Sequence, residues 1–478
     1  MTSIKRRTLL TASGVGAATA AAGYAPFALA EDEANPFQLG VASGDATTDS
    51  VVLWTRLATE PTSPDLGMGG QPDTIPVHWR IATSAEAAKD DATSLYHGDT
   101  DALKKHCWSV HLDVKEAEGG GALKPGTRYF YQFTVFDAAH ATVVGETKTA
   151  PEPDSDAEPN FAVISCQSAA TDGELNDGPS YWHGYTHLAD NPVDFVLHLG
   201  DYIYRESHEN TVPKDKYCET LPDYRLRWGW YLERDNIQAA RAIAGMYAVP
   251  DDHDIYNDYQ GGNIKPNIGD GTDWQLKLFN NAHKAYWENM PLRGGPPELI
   301  EGTDKTRADL ARVGVRWGAN LEFTLMDCRQ FRTDPAADKP TLLGTGQLAD
   351  VLDWIKSSTS VWTVLGSTSP LSVYFSKPGV PAGPASWTEF PAEREQVTSA
   401  LADKFADGGN PVAVAGDVHM PFVSKVIVPY DPSSKEFAAT EFSTPSMSSY
   451  GSDWTRRLDT NPDVFVWGAL RDDASGHP

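Results

Sequence analysis

Short apolar runs alternate with stretches of helical length and spacing from about residue 160 onward, and most runs are bounded by Gly, Pro or Asp. This alternation predicts a layered α/β domain, because each strand is followed by a helix that can cover the sheet. The predicted strands are Phe161–Ser165, Asp194–Leu199, Met246–Val249, Leu321–Met326, Trp362–Leu365 and Pro411–Ala415. The predicted helices are Ser180–Ala189, Ile237–Ala244, Trp274–Asn289, Gly346–Ser357 and Ala392–Phe405.

The pattern before residue 150 is different. Residues 36–150 hold β-branched and aromatic runs separated by turn residues, which predicts a small β-sandwich of the immunoglobulin or fibronectin type. An acidic, proline-rich segment at 151–159 reads as a linker. We therefore expect an N-terminal β-sandwich over 36–150 and a catalytic α/β domain over 160–478.

The first 30 residues have the features of an export signal. Lys5, Arg6 and Arg7 precede a weakly apolar Ala/Gly stretch, and Ala28-Leu29-Ala30 offers a cleavage site. Paired arginines before a mild apolar region favour twin-arginine export, with a general secretory signal as the alternative. The stretch is too short and Gly-interrupted for a membrane anchor. We expect a secreted, periplasmic or cell-wall-associated protein whose partner is the twin-arginine export machinery.

The formal net charge is -27, with 40% apolar residues. This is a globular composition, and the negative field argues against a nucleic-acid partner. The simplest interpretation of the acidity is a solvated surface. The alternative is that metal cations reverse the negative electrostatic field locally, where an anionic substrate binds. Four cysteines are too few for a disulfide scaffold, although one or two bridges among the four stay open and the pairing of Cys107, Cys218 and Cys328 is undetermined. We expect a monomer.

Metal-binding residue types follow four of the apolar runs. Cys166 follows the first run and Asp201 the second, with Tyr204 three residues on. Asp251-Asp252-His253-Asp254 and Asn257 follow the third, and Asp417 and His419 follow the last of the predicted strands. Because ligands gather at the carboxyl ends of parallel strands, these side chains should meet at one edge of the sheet.

Each of these residues also has a simpler interpretation when it is taken alone. Asp201 could be a turn residue, Cys166 a small buried apolar residue, and Tyr204 a packing residue. His198 lies inside an apolar run and reads as a core histidine rather than a ligand. The occurrence of suitable ligands at four strand ends favours a metal site over these separate explanations.

The residue types suit hydrolysis of a phosphoester. Two metal ions about 3.5–4 Å apart would activate water and neutralise phosphoryl charge, and Asp201 could bridge them. Cys166 and Tyr204 favour an oxidised transition metal, whereas the oxygens of Asn257 and Asp417 suit Ca²⁺ or Mg²⁺. His253 lies near the site without being needed as a ligand, so it could protonate the leaving group.

Several blocks of the sequence resemble one known family. These are Phe37–Asp45, Val52–Leu57, His198–Tyr204, Asp251–Asn257, Leu325–Arg329, Leu343–Gln347, Trp387–Arg394 and Ala415–His419. Together, and in this order, they resemble the PhoD-like alkaline phosphatases and phosphodiesterases of the calcineurin-like metallophosphoesterase superfamily. The resemblance implies a four-layered α/β sandwich and Fe³⁺ held by Cys166, Asp201, Tyr204 and His419. It also implies Ca²⁺ near Asp201, Asn257 and Asp417.

Two positions depart from the family pattern. Arg205 stands where the family often has Glu after the metal-binding tyrosine, which would alter a second calcium or the access of substrate. The resemblance also implies a longer C-terminal segment than the residues after Tyr450 provide.

We expect a metal-dependent hydrolase of phosphomonoesters or phosphodiesters. A phospholipase D-like enzyme acting on phospholipid headgroups is the alternative within the same fold. A secreted surface-binding protein with structural metals is a third hypothesis. Zn²⁺ or another divalent ion is the alternative to the Fe³⁺ and Ca²⁺ pair.

Overall fold

Strands and helices alternate through the chain as its periodicity predicts. The structure is a computed structural model that describes residues 34–135, 140–168, 182–206, 211–214, 216–260, 272–299, 306–307, 310–372, 375–377, 380–381, 386–428, 436–448 and 465–468. The strands are β1 Val41–Gly44, β2 Val52–Arg56, β3 Thr74–Ala82, β4 Tyr96–Leu103, β5 Ser109–Asp113, β6 Arg128–Val135, β7 His140–Ala141, β8 Gly145–Lys148, β9 Phe161–Ile164, β10 Phe195–His198, β11 Gly245–Ala248, β12 Glu298–Leu299, β13 Thr306–Arg307, β14 Arg312–Trp317, β15 Leu321–Leu325, β16 Trp362–Ser367, β17 Phe375–Lys377, β18 Val380–Pro381, β19 Asn410–Ala415, β20 Phe422–Val428, β21 Glu436–Ser443 and β22 Phe465–Gly468. The helices are α1 His183–Asp190, α2 Leu221–Leu232, α3 Asp235–Ile243, α4 Asp252–Ile255, α5 Thr272–Asn289, α6 Gly344–Ser357 and α7 Pro391–Ala406.

The predicted elements of the α/β region are present. Each end that falls within the described residues lies within two residues of its prediction. The predicted start of the first helix, at Ser180, lies outside the described residues, as does the signal segment 1–30. The mixed α/β fold is therefore confirmed. Among the described helices, none is both long enough and apolar enough to cross a membrane.

Two large sheets carry the parallel strands. The first has the order β5-β2-β1-β11-β10-β9, and β9, β10 and β11 run parallel within it. The second has the order β14-β15-β16-β19-β21-β20-β22, and β15, β16, β19 and β21 run parallel. The loops that follow these parallel strands carry the candidate ligands.

Aromatic side chains join the two sheets face to face. The Phe195 ring of β10 lies 5.4 Å from Phe323 of β15 and 4.5 Å from Trp317 of β14, measured between ring centroids. Tyr247 of β11 meets the same Phe323 edge to face at 4.9 Å. A second apolar cluster lies where α6 and α7 cover the other face of the second sheet. Burial of these apolar faces fixes the two sheets relative to each other.

The separate N-terminal β-sandwich is not confirmed. Three strands of residues 36–150, namely β1, β2 and β5, belong to the first large sheet, where β1 pairs in parallel with β11. The other strands, β3, β4, β6, β7 and β8, form their own antiparallel sheet. Trp54 also donates to the backbone oxygen of Glu288, which ties β2 to α5. The local pattern showed strands in this region, but the partner that joins them to the first large sheet, β11, lies some 200 residues away from β1.

The helix α2 was not predicted. It begins with a capping box in which the Thr220 side chain accepts from the Asp223 amide and Asp223 accepts in return. Most of its side chains are buried, including Tyr224, Arg227 and Trp228. A helix buried on nearly all sides has no polar face, so its 3.6-residue period is hidden in the sequence.

Candidate metal centre

The residues predicted at four strand ends lie together at the carboxyl edges of the two sheets. Cys166 follows β9 and Asp201 follows β10 in the first sheet, while Asp417 and His419 follow β19 in the second. The amide of Cys166 donates to the oxygen of Gly200 at 3.1 Å, which aligns the first two loops. Strands from both sheets therefore contribute to one site.

The backbone of these loops is held in an uncommon conformation. Cys166, Asp201, Asp417 and His419 all have φ between +54° and +68°, the left-handed region that side chains other than Gly rarely occupy. Such residues cluster at functional sites, where the surrounding structure holds them in place. At Gly200, whose φ is +93°, a Cβ atom would lie 2.4 Å from the Asp251 Cβ, so only glycine fits this turn.

Four donors of mixed chemistry converge at one point. One ligand atom from each of Cys166, Asp201 and His419 lies within 4.8 Å of the others. The Tyr204 hydroxyl lies 3.2 Å from Asp201 Oδ2 and 3.0 Å from His419 Nε2. We call these four residues the thiol-side group. A thiol, a phenol, a carboxyl and an imidazole at this spacing fit the first coordination shell of a transition metal.

A second group consists only of carboxylates. Oxygens of Asp251, Asp252 and Asp417 lie within 4.8 Å of one another, and we call them the oxygen-side group. Arg329 donates to both oxygens of Asp251, at 2.6 and 3.0 Å, and its Nη2 lies 3.4 Å from Asp252 Oδ1. That Asp252 oxygen is buried and accepts no hydrogen bond from the described residues. Hard oxygen donors of this kind fit Ca²⁺ or Mg²⁺.

Asn257 lies differently from the other predicted ligands. Its side chain is exposed, and its amide Nδ2 donates to Asp258 Oδ2 at 3.0 Å. The buried oxygens grouped with Asp417 come instead from Asp251 and Asp252. The role of Asn257 as a ligand stays a prediction.

His253 lies beside the thiol-side group. Its ring stacks on the Tyr204 ring with centroids 4.3 Å apart, and its backbone amide donates to Asp201 Oδ1 at 3.2 Å. Its Nδ1 lies 2.8 Å from Glu206 Oε2. With Nδ1 engaged by Glu206, Nε2 is the ring nitrogen left to meet a substrate.

The site concentrates buried acidic groups, which need nearby positive charge to ionise. Burial raises the pKa of the Cys166 thiol and of the Asp201 carboxyl well above their usual ranges, and nearby carboxylates add to both shifts. Burial followed by the charge of Asp251 raises the pKa of Asp417 to about 7. Although burial opposes it, the negative charge of Asp201, Asp252 and Glu206 raises the pKa of His253. Buried acids at this spacing can ionise together only beside cations.

A buried carboxylate fixes the loop that carries Asp201. Asp254 accepts the amides of Asp201 at 2.8 Å, Ile203 at 3.0 Å and Asp251 at 3.0 Å. Burial raises its pKa to about 7. Asp254 therefore ties the loop after β10 to the loop after β11, and so joins the two donor groups.

A buried guanidinium fixes the segment that follows. Arg227 of α2 is fully buried and donates to the backbone oxygens of Tyr204 and Glu206 and, at 2.9 Å, of Val212. Its Nη2 also lies 3.4 Å from the oxygen of Lys216. One side chain thus donates to the carbonyls of Tyr204, of the Glu206 partner of His253, and of Val212.

Some residues of the site were not assigned from the sequence. Arg329 follows β15 and stood in a block of family resemblance, but nothing local showed that β15 brings it to Asp251. Asp251 and Asp252 were visible as an acidic run without an assigned role. Glu206 was passed over because Arg205 occupies the position where an acid was expected.

The remaining cysteines, Cys107, Cys218 and Cys328, are buried and free. His198 lies in the core, as predicted.

Comparison with known proteins identifies relatives of this chain. The family model described as PhoD-like phosphatase matches residues 161–466, and that of the PhoD-like phosphatase N-terminal domain matches 20–151. Alkaline phosphatase D of Bacillus subtilis (strain 168) is 34% identical over 455 residues, covering 89% of this chain and 72% of the relative.

Two solved structures resemble the fold. The structure of PhoD superposes with a TM-score of 0.75 at 31% identity, covering 90% of this chain and 82% of that one. Purple acid phosphatase PPD1 from yellow lupin seeds shares the fold at a TM-score of 0.51 and 11% identity, covering 90% and 67% of the two chains. Fold, site and relatives together define a phosphoric ester hydrolase with a metallophosphoesterase-like fold. Within that class, the chain belongs to the PhoD-like phosphatase family.

Proposed function

We propose that this phosphoester hydrolase depends on metal ions held at the edge where the two large sheets meet. The observation that carries the proposal is the convergence of Cys166, Asp201, Tyr204 and His419 within hydrogen-bonding or ligand distance. Thiolate, phenolate and carboxylate donors together favour an oxidised transition metal, and we propose Fe³⁺.

The oxygen-side group supports a second, harder cation. Asp417 and the bridging Asp201 are the predicted ligands of Ca²⁺, together with Asn257, and the geometry adds Asp251 and Asp252 as nearby oxygens. When bound, such ions lower the pKa of a water molecule and neutralise the phosphoryl oxygens of the substrate.

Side chains of the protein supply the proton that the leaving group needs. Glu206 holds His253 through Nδ1, and the stack on Tyr204 fixes the plane of the imidazole. Because Nδ1 is hydrogen-bonded to Glu206, Nε2 is the ring nitrogen of His253 that can carry the transferred proton. We therefore assign His253 Nε2 as the donor to the departing oxygen of the ester. Arg329 orients Asp251 through two hydrogen bonds, and its positive charge lies 3.4 Å from Asp252 Oδ1.

The colour of the purified protein tests the assignment of Fe³⁺. A tyrosinate bound to Fe³⁺ absorbs visible light, so the purified protein should be coloured, and dithionite should bleach it and lower its activity. Tyr204→Phe should remove the colour while the ring still packs on His253. Tyr96→Phe, far from the site on β4, is the matched control and should keep the colour.

Elemental analysis of the same preparations tests the assignment of Fe³⁺ directly and can contradict it. Cys166→Ser should lower the iron content more than the calcium content, because the thiolate belongs to the thiol-side group alone. A colourless and fully active protein with stoichiometric Zn²⁺ and no iron would overturn the ferric assignment.

The substrate class is assigned to small-molecule phosphoesters. Hydrolysis of p-nitrophenyl phosphate, bis-p-nitrophenyl phosphate and phosphatidylcholine separates monoester, diester and phospholipid activity. Headgroup release from phosphatidylcholine with no turnover of either nitrophenyl ester would favour the phospholipase D-like alternative.

We also propose the four-layered arrangement, the domain division at 151–159 and export through the twin-arginine route. The four layers are supported by helices α1 and α3 on one side, the two facing sheets, and α6 and α7 on the other. The paired Arg6 and Arg7 support the route of export.

A further inference from the structure

A cavity of about 290 Å³ lies beside α2, lined also by the loop 64–70 and by the turn between β4 and β5. Its wall on α2 consists of Pro222 and Arg225. Arg227, two positions further along the helix, donates instead to the backbone oxygen of Tyr204. Side chains two positions apart on an α-helix point about 200° apart, so the cavity and Tyr204 lie on opposite sides of α2. The cavity is therefore separate from the candidate metal centre.

The inner wall of the cavity is apolar. Leu66, Met68 and Trp108 line it and are almost fully buried. The Trp108 indole Nε1 donates to the backbone oxygen of Pro72 at 3.1 Å, which fixes the plane of the ring. The wall thus offers a flat aromatic face that is oriented before any ligand binds.

Positive charge surrounds this cavity, although the protein as a whole has a net charge of -27. Lys104 and Arg225 line it. Another lining residue, Cys107, reports the local field: burial raises the pKa of its thiol, whereas the charges of Arg56, Arg225 and Lys284 oppose that rise. Arg56 is fully buried, and its Nε and Nη2 donate to none of the described residues.

The acidic groups near the cavity are already engaged. Glu288 accepts from Arg225 Nε at 2.7 Å and from its Nη2, so it neutralises one cation of the wall. Asp65 lines the cavity, but its Oδ1 accepts from the Gly67 amide at 3.2 Å and from the Ser63 hydroxyl at 3.1 Å. The cations near the cavity therefore outnumber the acids that are left to balance them.

Lys104 is the cation best placed to meet a ligand. Its Nζ lies 6.0 Å from the centroid of the Trp108 ring and 3.0 Å from Asp73 Oδ1. The side chains of this ion pair are 55% and 83% exposed, and such surface pairs contribute little. The ammonium can therefore exchange Asp73 for an anionic ligand that lies on the Trp108 face.

We propose that this cavity is a binding site for a small anion with a planar apolar body, of which an aromatic carboxylate is the simplest case. The planar body packs against Trp108 and Met68, and the carboxylate meets the ammonium of Lys104. The volume is close to the lower limit for ligand pockets, which suits a fused pair of rings better than a larger molecule. The lining contains none of the proposed metal ligands, so binding here is independent of the proposed metal chemistry.

Calorimetric titration with 2-naphthoate and with its neutral analogue 2-naphthamide tests the charge requirement. The native protein should bind 2-naphthoate more tightly, by roughly three- to tenfold. Lys104→Glu should abolish this preference, and the affinity for 2-naphthamide should stay within twofold. Lys104→Arg should keep the preference. Lys89→Glu is the matched control, because Lys89 is also an exposed lysine, paired with Glu86 at 3.0 Å, and does not line the cavity.

Hydrogen exchange locates the bound ligand. The amides of Leu66 and Met68 donate within the loop, to the oxygens of Ser63 at 2.9 Å and Asp65 at 3.0 Å. Saturating 2-naphthoate should slow the exchange of both amides, because the ligand packs on this loop and opposes its opening. Amides of β16, which does not line the cavity, should be unchanged.

Three results would overturn the inference. The first is the absence of 2-naphthoate binding at millimolar concentration, and the second is equal affinity of the native protein for 2-naphthoate and 2-naphthamide. The third is binding that keeps its preference in Lys104→Glu or leaves the exchange of Leu66 and Met68 unchanged, since the ligand would then lie elsewhere. Because these measurements need no turnover, their outcome is distinct from any failure of the proposed phosphoesterase function.

Discussion

Replacement of Arg227 by methionine tests whether one buried side chain holds the backbone at Tyr204, Glu206 and Val212 in place. Methionine is shorter than arginine but also unbranched as far as the arginine Nε, and it fills much of the same volume while removing the charge and all donors. The carbonyls of Tyr204, Glu206 and Val212 would then lose their best donor. We expect this variant to fold with a weakened segment beside the metal centre.

The magnitude follows from the number of acceptors left without a donor. A buried acceptor without a partner costs about 1 to 3 kcal/mol, and removal of the buried charge returns part of that cost. We therefore expect a loss of about 3 to 5 kcal/mol in the free energy of unfolding. Arg227→Lys should lose about half as much, because an ammonium reaches fewer of these carbonyls than the guanidinium fork.

Urea unfolding measures the global loss, and hydrogen exchange locates it. The Arg205 amide donates to the His253 oxygen and the Cys218 amide to the Arg205 oxygen, so both amides report on this segment and should exchange at least about 100-fold faster in the variant. Amides of β15 and β16 should change only with global stability. Arg128→Met is the matched control, since Arg128 pairs with Glu146 on the surface and should cost about 1 kcal/mol or less. A loss below 1 kcal/mol in Arg227→Met would refute the reasoning.

Three further predictions concern export, calcium and pH. Arg6→Lys combined with Arg7→Lys should leave the folded protein in the cytoplasm, and normal secretion of the double variant would count against the twin-arginine route. A calcium-selective chelator should abolish activity and added Ca²⁺ should restore it; Asp252→Asn should lose more activity than Asn257→Ala if the buried oxygens bind the ion, and the reverse order would return the ligand role to Asn257. Burial raises the pKa of Glu441 above its unfolded value of 4.5 despite hydrogen bonds to the carboxylate, so the stability it contributes is complete below pH 4.5 and lost as pH rises through the folded pKa. Glu441→Gln should flatten that part of the stability curve measured by urea titration, and an unchanged slope would contradict the assignment.

The sequence predicted the elements whose identity depends on local pattern. Strands β9 and β10 are short and apolar, and a candidate ligand follows each within three residues, so both the strand and the site residue could be recognised. That Cys166, Asp201, Tyr204 and His419 meet at one edge followed from the rule for parallel strands. These features can be predicted without knowing which distant residues they contact.

The missed features depend on contacts between distant parts of the chain. The pairing of β1 with β11 joins Ser43 to Gly245, and nothing near either residue encodes the other. Arg329 became part of the site only because β15 lies in the sheet that faces Asp251. Helix α2 was hidden because it is buried on nearly all sides, although Thr220 and Asp223 carried its capping signal. Long-range pairing, rather than local propensity, limited the prediction.

The distance along the chain between the two halves of the metal centre has a consequence for synthesis. Tyr204 and His419, which lie 3.0 Å apart through their polar atoms, are separated by 215 residues. At ribosomal rates of about 5 to 20 residues per second, His419 is made roughly 10 to 40 s after Tyr204. Throughout that interval Cys166, Asp201 and Tyr204 exist without their partner loop. The site therefore cannot assemble on a nascent chain until His419 has left the ribosome.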